Sequence, residues 1–224
     1  MSVAERVQAV RTRIARAADD CGRDPATVTL VAVCKHQPLD RVRAVVACGI
    51  GDLGENTAQG LERTATALGA DASRVRWHFV GRLQTNKVKA VLRHALAVHS
   101  VDRLSLAELL AMHAAAPVDV WVQVNLGSEP QKGGVLPDET VALATAVAKL
   151  PALRLRGLMA IPPANDDPTP HFARLRALSE ALRRAPGCAA ATELSMGMSR
   201  DFEQAITQGA TLVRVGTALF GERT

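Results

Sequence analysis

Residues 27–38 read TVTLVAVCKHQP. From Val28 to Cys34 the run is apolar and largely β-branched, broken by one Thr. It ends on Lys35, with His36 next and Pro38 two residues further on. A strand without polar alternation is one covered on both faces, as in parallel sheets. A lone ammonium group at the end of such a strand therefore needs a destination.

Outward from this stretch the same unit recurs. Strand-like runs follow at GIGDLGEN (49–56), RWHFVG (76–81), LAVHSV (96–101), VDVWVQVNL (118–126), LRLRGLMAI (153–161), ATELSMG (191–197) and TLVRVG (211–216). The segments between them, such as PLDRVRAVVACG and DETVALATAVAKL, have helical spacing with charges on one face. Counting VTLVAVCK (28–35), eight strands are each followed by a helix and none by a hairpin signal. That is the count that closes a (β/α)8 TIM barrel, here with an extra N-terminal helix over residues 2–21. The alternative, an open doubly wound sheet, lacks a GxGxxG after its first strand. The Pro/Asp-rich PPANDDPTP (162–170) reads as a loop after the sixth strand, so residues 1–224 form one domain.

Composition narrows the function. Hydrophobic residues are 48% and charged residues 22%, which suits one large core. The net charge is +5, but no basic run occurs, and aromatics are only 3% with no tyrosine at all. Nucleic acid is thereby disfavoured as a partner, and small anions fit better. Cys21, Cys34, Cys48 and Cys188 are dispersed beside apolar segments. They read as buried free thiols, with no metal site. The charged, amphipathic N-terminus does not resemble a signal peptide, and no run of 18 apolar residues occurs. The chain reads as a soluble cytoplasmic protein without a membrane partner.

Barrels carry function at the C-terminal ends of their strands. Strand one ends in Lys35, either a partly desolvated amine suited to Schiff-base chemistry or a lysine that snorkels to the rim. Strand two presents Glu55 and Asn56; Asn56 either donates to a ligand or, taken alone, caps the next helix. On strand three His78 reads as a satisfied core histidine. Gly81 allows backbone and ligand to approach closely, and Arg82, Asn86 and Lys87 add donors at the rim. Strand seven brings Ser195 and Gly197, then Ser199, Asp201 and Glu203 at a helix start; strand eight brings Arg214, Gly216 and Thr217. The last two loops and a short final helix are where barrels often bind phosphate. A phosphorylated aldehyde would span that cradle and Lys35, and pyridoxal 5′-phosphate (PLP) is one. Arg214 shares the phase of Gly216 and would face the pyridine nitrogen.

The stretches LVAVCKHQP, GENTAQ, WHFVGRLQTNKVK, RGLMAIPP and LSMGMSRDFEQAITQGATLVRVGTALFGER closely resemble the pyridoxal phosphate homeostasis protein family, in order along the chain. The resemblance implies a barrel like the N-terminal domain of alanine racemase, with PLP held as an internal aldimine on Lys35. It implies Asn56 near the ring, Arg214 at the pyridine nitrogen, and Ser195, Gly216 and Thr217, with Met196 and Ser199, around the phosphate. Met159 and Asn125 would face the cofactor. The chain departs from the family at Cys34, His36, Gln37 and Thr57, and its end at GERT lacks the family's lysine-bearing tail. These departures bear on any secondary PLP site, not on Lys35.

The function implied is a non-catalytic carrier, with no catalytic residues, that maintains intracellular PLP (vitamin B6) homeostasis. Its partners would be PLP and PLP-dependent apo-enzymes, and the chain would be a monomer. The alternative is a PLP-dependent amino-acid racemase-like enzyme. Racemisation needs a base on each face of the substrate α-carbon. Racemases with this barrel recruit a tyrosine from a second, β-rich domain, and this chain has neither. A PLP-free Schiff-base aldolase is a third reading.

Overall fold

The computed structural model describes residues 1–127 and 133–221. Lys132 and the last three residues of GERT, Glu222 to Thr224, lie outside the described residues. The N-terminal helix α1 (Val3–Asp19) precedes eight strand–helix units. The first four are β1 (Thr29–Val33) and α2 (Leu39–Ala47), β2 (Asp52–Glu55) and α3 (Ala58–Leu68), β3 (Arg76–Phe79) and α4 (Val88–Leu92), β4 (Ala95–Val101) and α5 (Leu104–His113). The rest are β5 (Val118–Val124) and α6 (Thr140–Ala148), β6 (Leu153–Ala160) and α7 (Pro168–Leu182), β7 (Glu193–Ser195) and α8 (Phe202–Thr207), β8 (Leu212–Val215) and α9 (Thr217–Phe220).

The strands form a closed barrel in sequence order, and β8 pairs in parallel with β1 through Thr29 with Leu212, Val31 with Arg214 and Ala32 with Val215. The expected TIM barrel with its extra helix is what forms. Helix α1 starts at a capping box: Ser2 Oγ accepts from the Glu5 amide, and Glu5 accepts from the Ser2 amide. It buries Val7, Val10 and Ile14 along one stripe, packed on α8 and α9. Burying side chains of this size is worth about 1.5–3 kcal/mol each.

The core has two parts. A large layer separates strands from helices, and a small inner cluster of Val31, Ala97, Trp121, Met159 and Leu212 fills the barrel. At the N-terminal ends of the strands Asp119 pairs with Arg76 and, at 2.7 Å, with Arg154. Interlocked charges on this face tie neighbouring strands together, leaving the opposite face for chemistry.

Two expectations are corrected. PPANDDPTP is not loop throughout. Asp167 accepts from the Thr169 amide at 3.0 Å and starts α7 at Pro168, a first-turn position where proline's missing N–H costs nothing. Cys21 is exposed rather than buried, because it lies past the end of α1, where its thiol donates to the carbonyls of Ala17 and Ala18. Among the described residues no helix is long and apolar enough to cross a membrane, and no group of three or more His, Cys, Asp or Glu side chains could hold a metal ion.

Candidate functional site

A cavity of ≈ 730 Å³ opens at the C-terminal ends of the strands. Side chains alternate along a strand, so Val31, Val33 and Lys35 share one phase. Val31 belongs to the inner cluster, while Val33 and Lys35 line the cavity. The Cys34 amide still donates to Gly54 O across the sheet at 2.9 Å, and the Gln37 amide then closes a turn on Cys34 O. That turn needs a left-handed residue, supplied by His36 at φ 56°. Lys35 is thereby delivered half-buried into the cavity.

Next to them, Ser199, Gly216 and Thr217 line the same cavity. Ser199 Oγ accepts from the amides of Gly216 and Ala218 at 3.3 and 3.2 Å, which joins the loops after β7 and β8.

Arg214 also lines the cavity yet is only 4% exposed. Its Nη1 donates to Ser195 Oγ at 2.7 Å and its Nη2 to Ala160 O at 3.0 Å. Burial lowers its pKa to about 10, a shift opposed by the nearby charge of Asp201. It remains a cation at neutral pH. Behind it, Ser195 Oγ lies 2.7 Å from His99 Nδ1, His99 Nε2 lies 2.8 Å from His78 Nδ1, and His78 Nε2 lies 2.8 Å from Asp52 Oδ1. Desolvation pushes both imidazole pKa values down, in His99 reinforced by His78 and Arg214.

Of the expected site residues, Lys35, Ser199, Arg214, Gly216 and Thr217 come together in this cavity. Met159, Ser195 and Met196 are fully buried and do not line it. The Ser195 hydroxyl is engaged by Arg214 and His99 rather than open at the rim, because β7 stops with Ser195 still inside the barrel. Asn125 is likewise off the cavity, its amide bound to Val135 O at 2.9 Å. Asn56 does not cap α3; Thr57 does, accepting from the Gly60 amide at 3.0 Å. Asn56 instead borders two neighbouring cavities, with its Oδ1 buried and unpartnered among the described residues.

Gly81 approaches backbone rather than ligand: a Cβ there would stand 2.0 Å from Asn56 O. Arg82, Asn86 and Lys87 line a separate cavity of ≈ 850 Å³ with no carboxylate in its wall. His36 faces a third cavity, of ≈ 350 Å³, beside Glu55. Burial raises the pKa of Glu55, although its carboxylate accepts from the Asn56 amide and Thr64 Oγ1. Burial likewise raises that of Cys34, leaving a packed thiol beside the lysine.

Sequence reasoning missed Asp52 and His99. The available signal was strand phase: Asp52, His78, His99, Ser195 and Arg214 all fall on the inward register of their strands. It also missed Asp166, in the loop after β6, and Arg200 and Gln204, after β7, which line the cavity as well.

A barrel carrying a lysine off its first strand and a cradle of small residues at its last two is of the alanine racemase N-terminal type, and the family model described as "Alanine racemase, N-terminal domain" matches residues 6–224. Within that class, this chain belongs to the pyridoxal phosphate homeostasis protein family. It is 46% identical to the Pseudomonas aeruginosa pyridoxal phosphate homeostasis protein, covering 99% of this chain and 96% of the relative. It is 41% identical to that of Aquifex aeolicus, over 100% and 99%. PipY of Synechococcus elongatus, solved with PLP bound, superposes with a TM-score of 0.87 at 33% identity, over 98% of this chain and 100% of PipY. An alanine racemase from Corynebacterium glutamicum shares the fold, with a TM-score of 0.70 at 18% identity, and this chain spans 62% of its length.

Proposed function

We propose that this chain binds PLP as a covalent aldimine at Lys35 and serves as a carrier that holds the aldehyde and passes it to PLP-dependent apo-enzymes. One observation carries the reading: a single cavity is lined by the Lys35 amine, the Arg214 guanidinium and the Ser199–Gly216–Thr217 cradle. PLP supplies an aldehyde that condenses with an amine, expelling water and leaving a C=N bond. The cradle offers hydroxyls and amides to a phosphate, and Arg214 offers N–H donors to a ring nitrogen.

Turnover of an amino acid has little support among the same residues. Arg214 donates hydrogen bonds but does not readily give up its proton, so the ring nitrogen facing it stays unprotonated and the ring a weak electron sink. The two carboxylates in the cavity wall are engaged, Asp201 with the Met198 amide at 2.6 Å and Asp166 with His171 at 3.2 Å. His36 lines a different cavity from Lys35. Together with the absence of tyrosine, this supports a carrier over a racemase. The test is to mix PLP-loaded protein with a PLP-requiring apo-enzyme. Activity should return, and a recipient that stays inactive while free PLP restores it would refute delivery.

A further inference from the structure

The polar side chains behind Arg214 form an unbroken series across the barrel interior: Asp52 on β2, His78 on β3, His99 on β4, Ser195 on β7 and Arg214 on β8. Their protons can be counted from either end. A guanidinium only donates, so Ser195 Oγ accepts from Arg214 and has its own hydrogen left for His99 Nδ1. A carboxylate only accepts, so His78 gives its Nε2 proton to Asp52. A neutral imidazole has one donor and one acceptor. His78 Nδ1 must then accept, and His99 must donate from Nε2 and accept at Nδ1. Both ends give the same answer, and every hydrogen bond points from Arg214 toward Asp52. Stacking of Trp121 on His99, with ring centroids 4.1 Å apart and planes 22° apart, holds the middle of the series in place.

We infer that this one-directional series is a strut that aims the guanidinium of Arg214 at the cavity, with His99 as its central positioning residue. The inference rests on the reading of Arg214 as partner of the PLP ring nitrogen. It goes beyond that reading in making the cofactor's environment depend on residues on the far side of the barrel. The charged and titratable groups packed around the two imidazoles are Asp52, Arg76 and Asp119 at the N-terminal end and Arg214 at the other. His78 has the carboxylates of Asp52 and Asp119 on its side of the series, whereas the charged neighbours of His99 are the guanidinium groups of Arg214 and Arg76.

Nitrogen-15 NMR of the histidine side chains reads the direction without any cofactor. In mildly alkaline buffer both His78 and His99 should be neutral with the proton on Nε2; a proton on Nδ1 of His99 overturns the strut. Substitution reads its consequence. His99→Gln keeps one donor and one acceptor, and its PLP-loaded form should retain the wild-type absorption band and pH profile. His99→Leu keeps neither. If folded, it should move the pH profile of the band and lose PLP on dialysis about tenfold faster, the loss expected for one orienting hydrogen bond. A folded His99→Leu protein with wild-type band, profile and release rate contradicts the strut while leaving the carrier reading intact. Should that variant not fold, Asp52→Ala, at the opposite end of the barrel from the cavity, gives the same readouts, and unchanged behaviour there counts equally against it. Wild-type protein with no visible band would instead sink the cofactor reading, and the NMR would still decide the direction of the series.

Discussion

Val31 on β1 and Arg214 on β8 are partners in the seam that closes the barrel. Because they share a level, the inward phase that carries Val31 up to Val33 and Lys35 also carries Arg214 up to Gly216. Strand register thus sets the amine and the guanidinium on one wall, and the turn at His36 and the loops after β7 and β8 complete the site around them.

The cradle sets the first expectation. Removing the phosphate from the ligand should remove several charge-assisted hydrogen bonds, each worth about 1.5–3 kcal/mol. Pyridoxal should bind at least about tenfold more weakly than PLP, since about 1.4 kcal/mol corresponds to a factor of ten. Ser199→Ala should weaken PLP while leaving pyridoxal unchanged, as measured by titration of the visible band. Equal affinities for the two ligands would refute the cradle.

Gly81→Ala tests the packing between the second and third strand ends. The new methyl group would meet backbone, at 2.0 Å from Asn56 O, and backbone cannot rotate away. Overpacking of this kind costs about 1–3 kcal/mol or more, so the melting temperature should fall by several degrees. Gly22→Ala is the control: it has nothing within 4 Å and only its φ of 68° to strain. An unchanged melt for Gly81→Ala would mean that the two strand ends are not in contact.

Acid should loosen the strut. Burial lowers the pKa values of His78 and His99 in the folded state, whereas in the unfolded chain they titrate near about 6.5. Below that value the unfolded state binds more protons, so the stability contributed by these residues is present above about pH 6.5 and lost as the pH falls toward their folded values. The slope approaches about 1.4 kcal/mol per pH unit for each histidine. Glu55, with its pKa raised by burial, contributes with the opposite sign. The comparison that isolates the effect is wild type against His99→Gln in pH-dependent denaturant melts, where the variant should lose less stability between pH 6.5 and 5. Identical slopes would contradict it.

Amino-acid turnover should be close to nil. A positioned general base contributes about 10²–10⁴-fold, and among the described residues the carboxylates that line the cavity beside Lys35, Asp166 and Asp201, are both hydrogen-bonded within the protein. PLP-loaded protein with L-alanine or L-serine in deuterated water should show almost no α-deuterium, followed by proton NMR. Fast exchange that disappears in His36→Ala would make the protein an enzyme.

Much of this was legible in the sequence. Apolar runs located all eight strands, and the phase shared by Arg214 and Gly216 turned the guanidinium toward the cradle; that Lys35 stands on the same wall follows from the pairing of β1 with β8, which the sequence does not display. The engagement of the Ser195 hydroxyl by Arg214 and His99 was not legible, because it depends on strands far apart in the chain meeting at the end of the three-residue β7. The pairing of His78 with His99 depends on how β3 and β4 are staggered, and the register shifts between Trp77 and His78. A stagger of that kind leaves no trace in either strand's own sequence. Asn56 and Thr57 are both competent caps, and only the observed entry of α3 selects Thr57.

Borohydride reduction followed by peptide mapping addresses the covalent site most directly. Hydride adds to the C=N carbon and fixes the cofactor on the amine that carried it, so the pyridoxyl mass should appear on the peptide containing Lys35, and Lys35→Ala should fold normally without the visible band. Label on Lys87 or Lys132 in the wild-type protein, or a Lys35→Ala protein with an undiminished band, would contradict Lys35 as the residue that holds PLP.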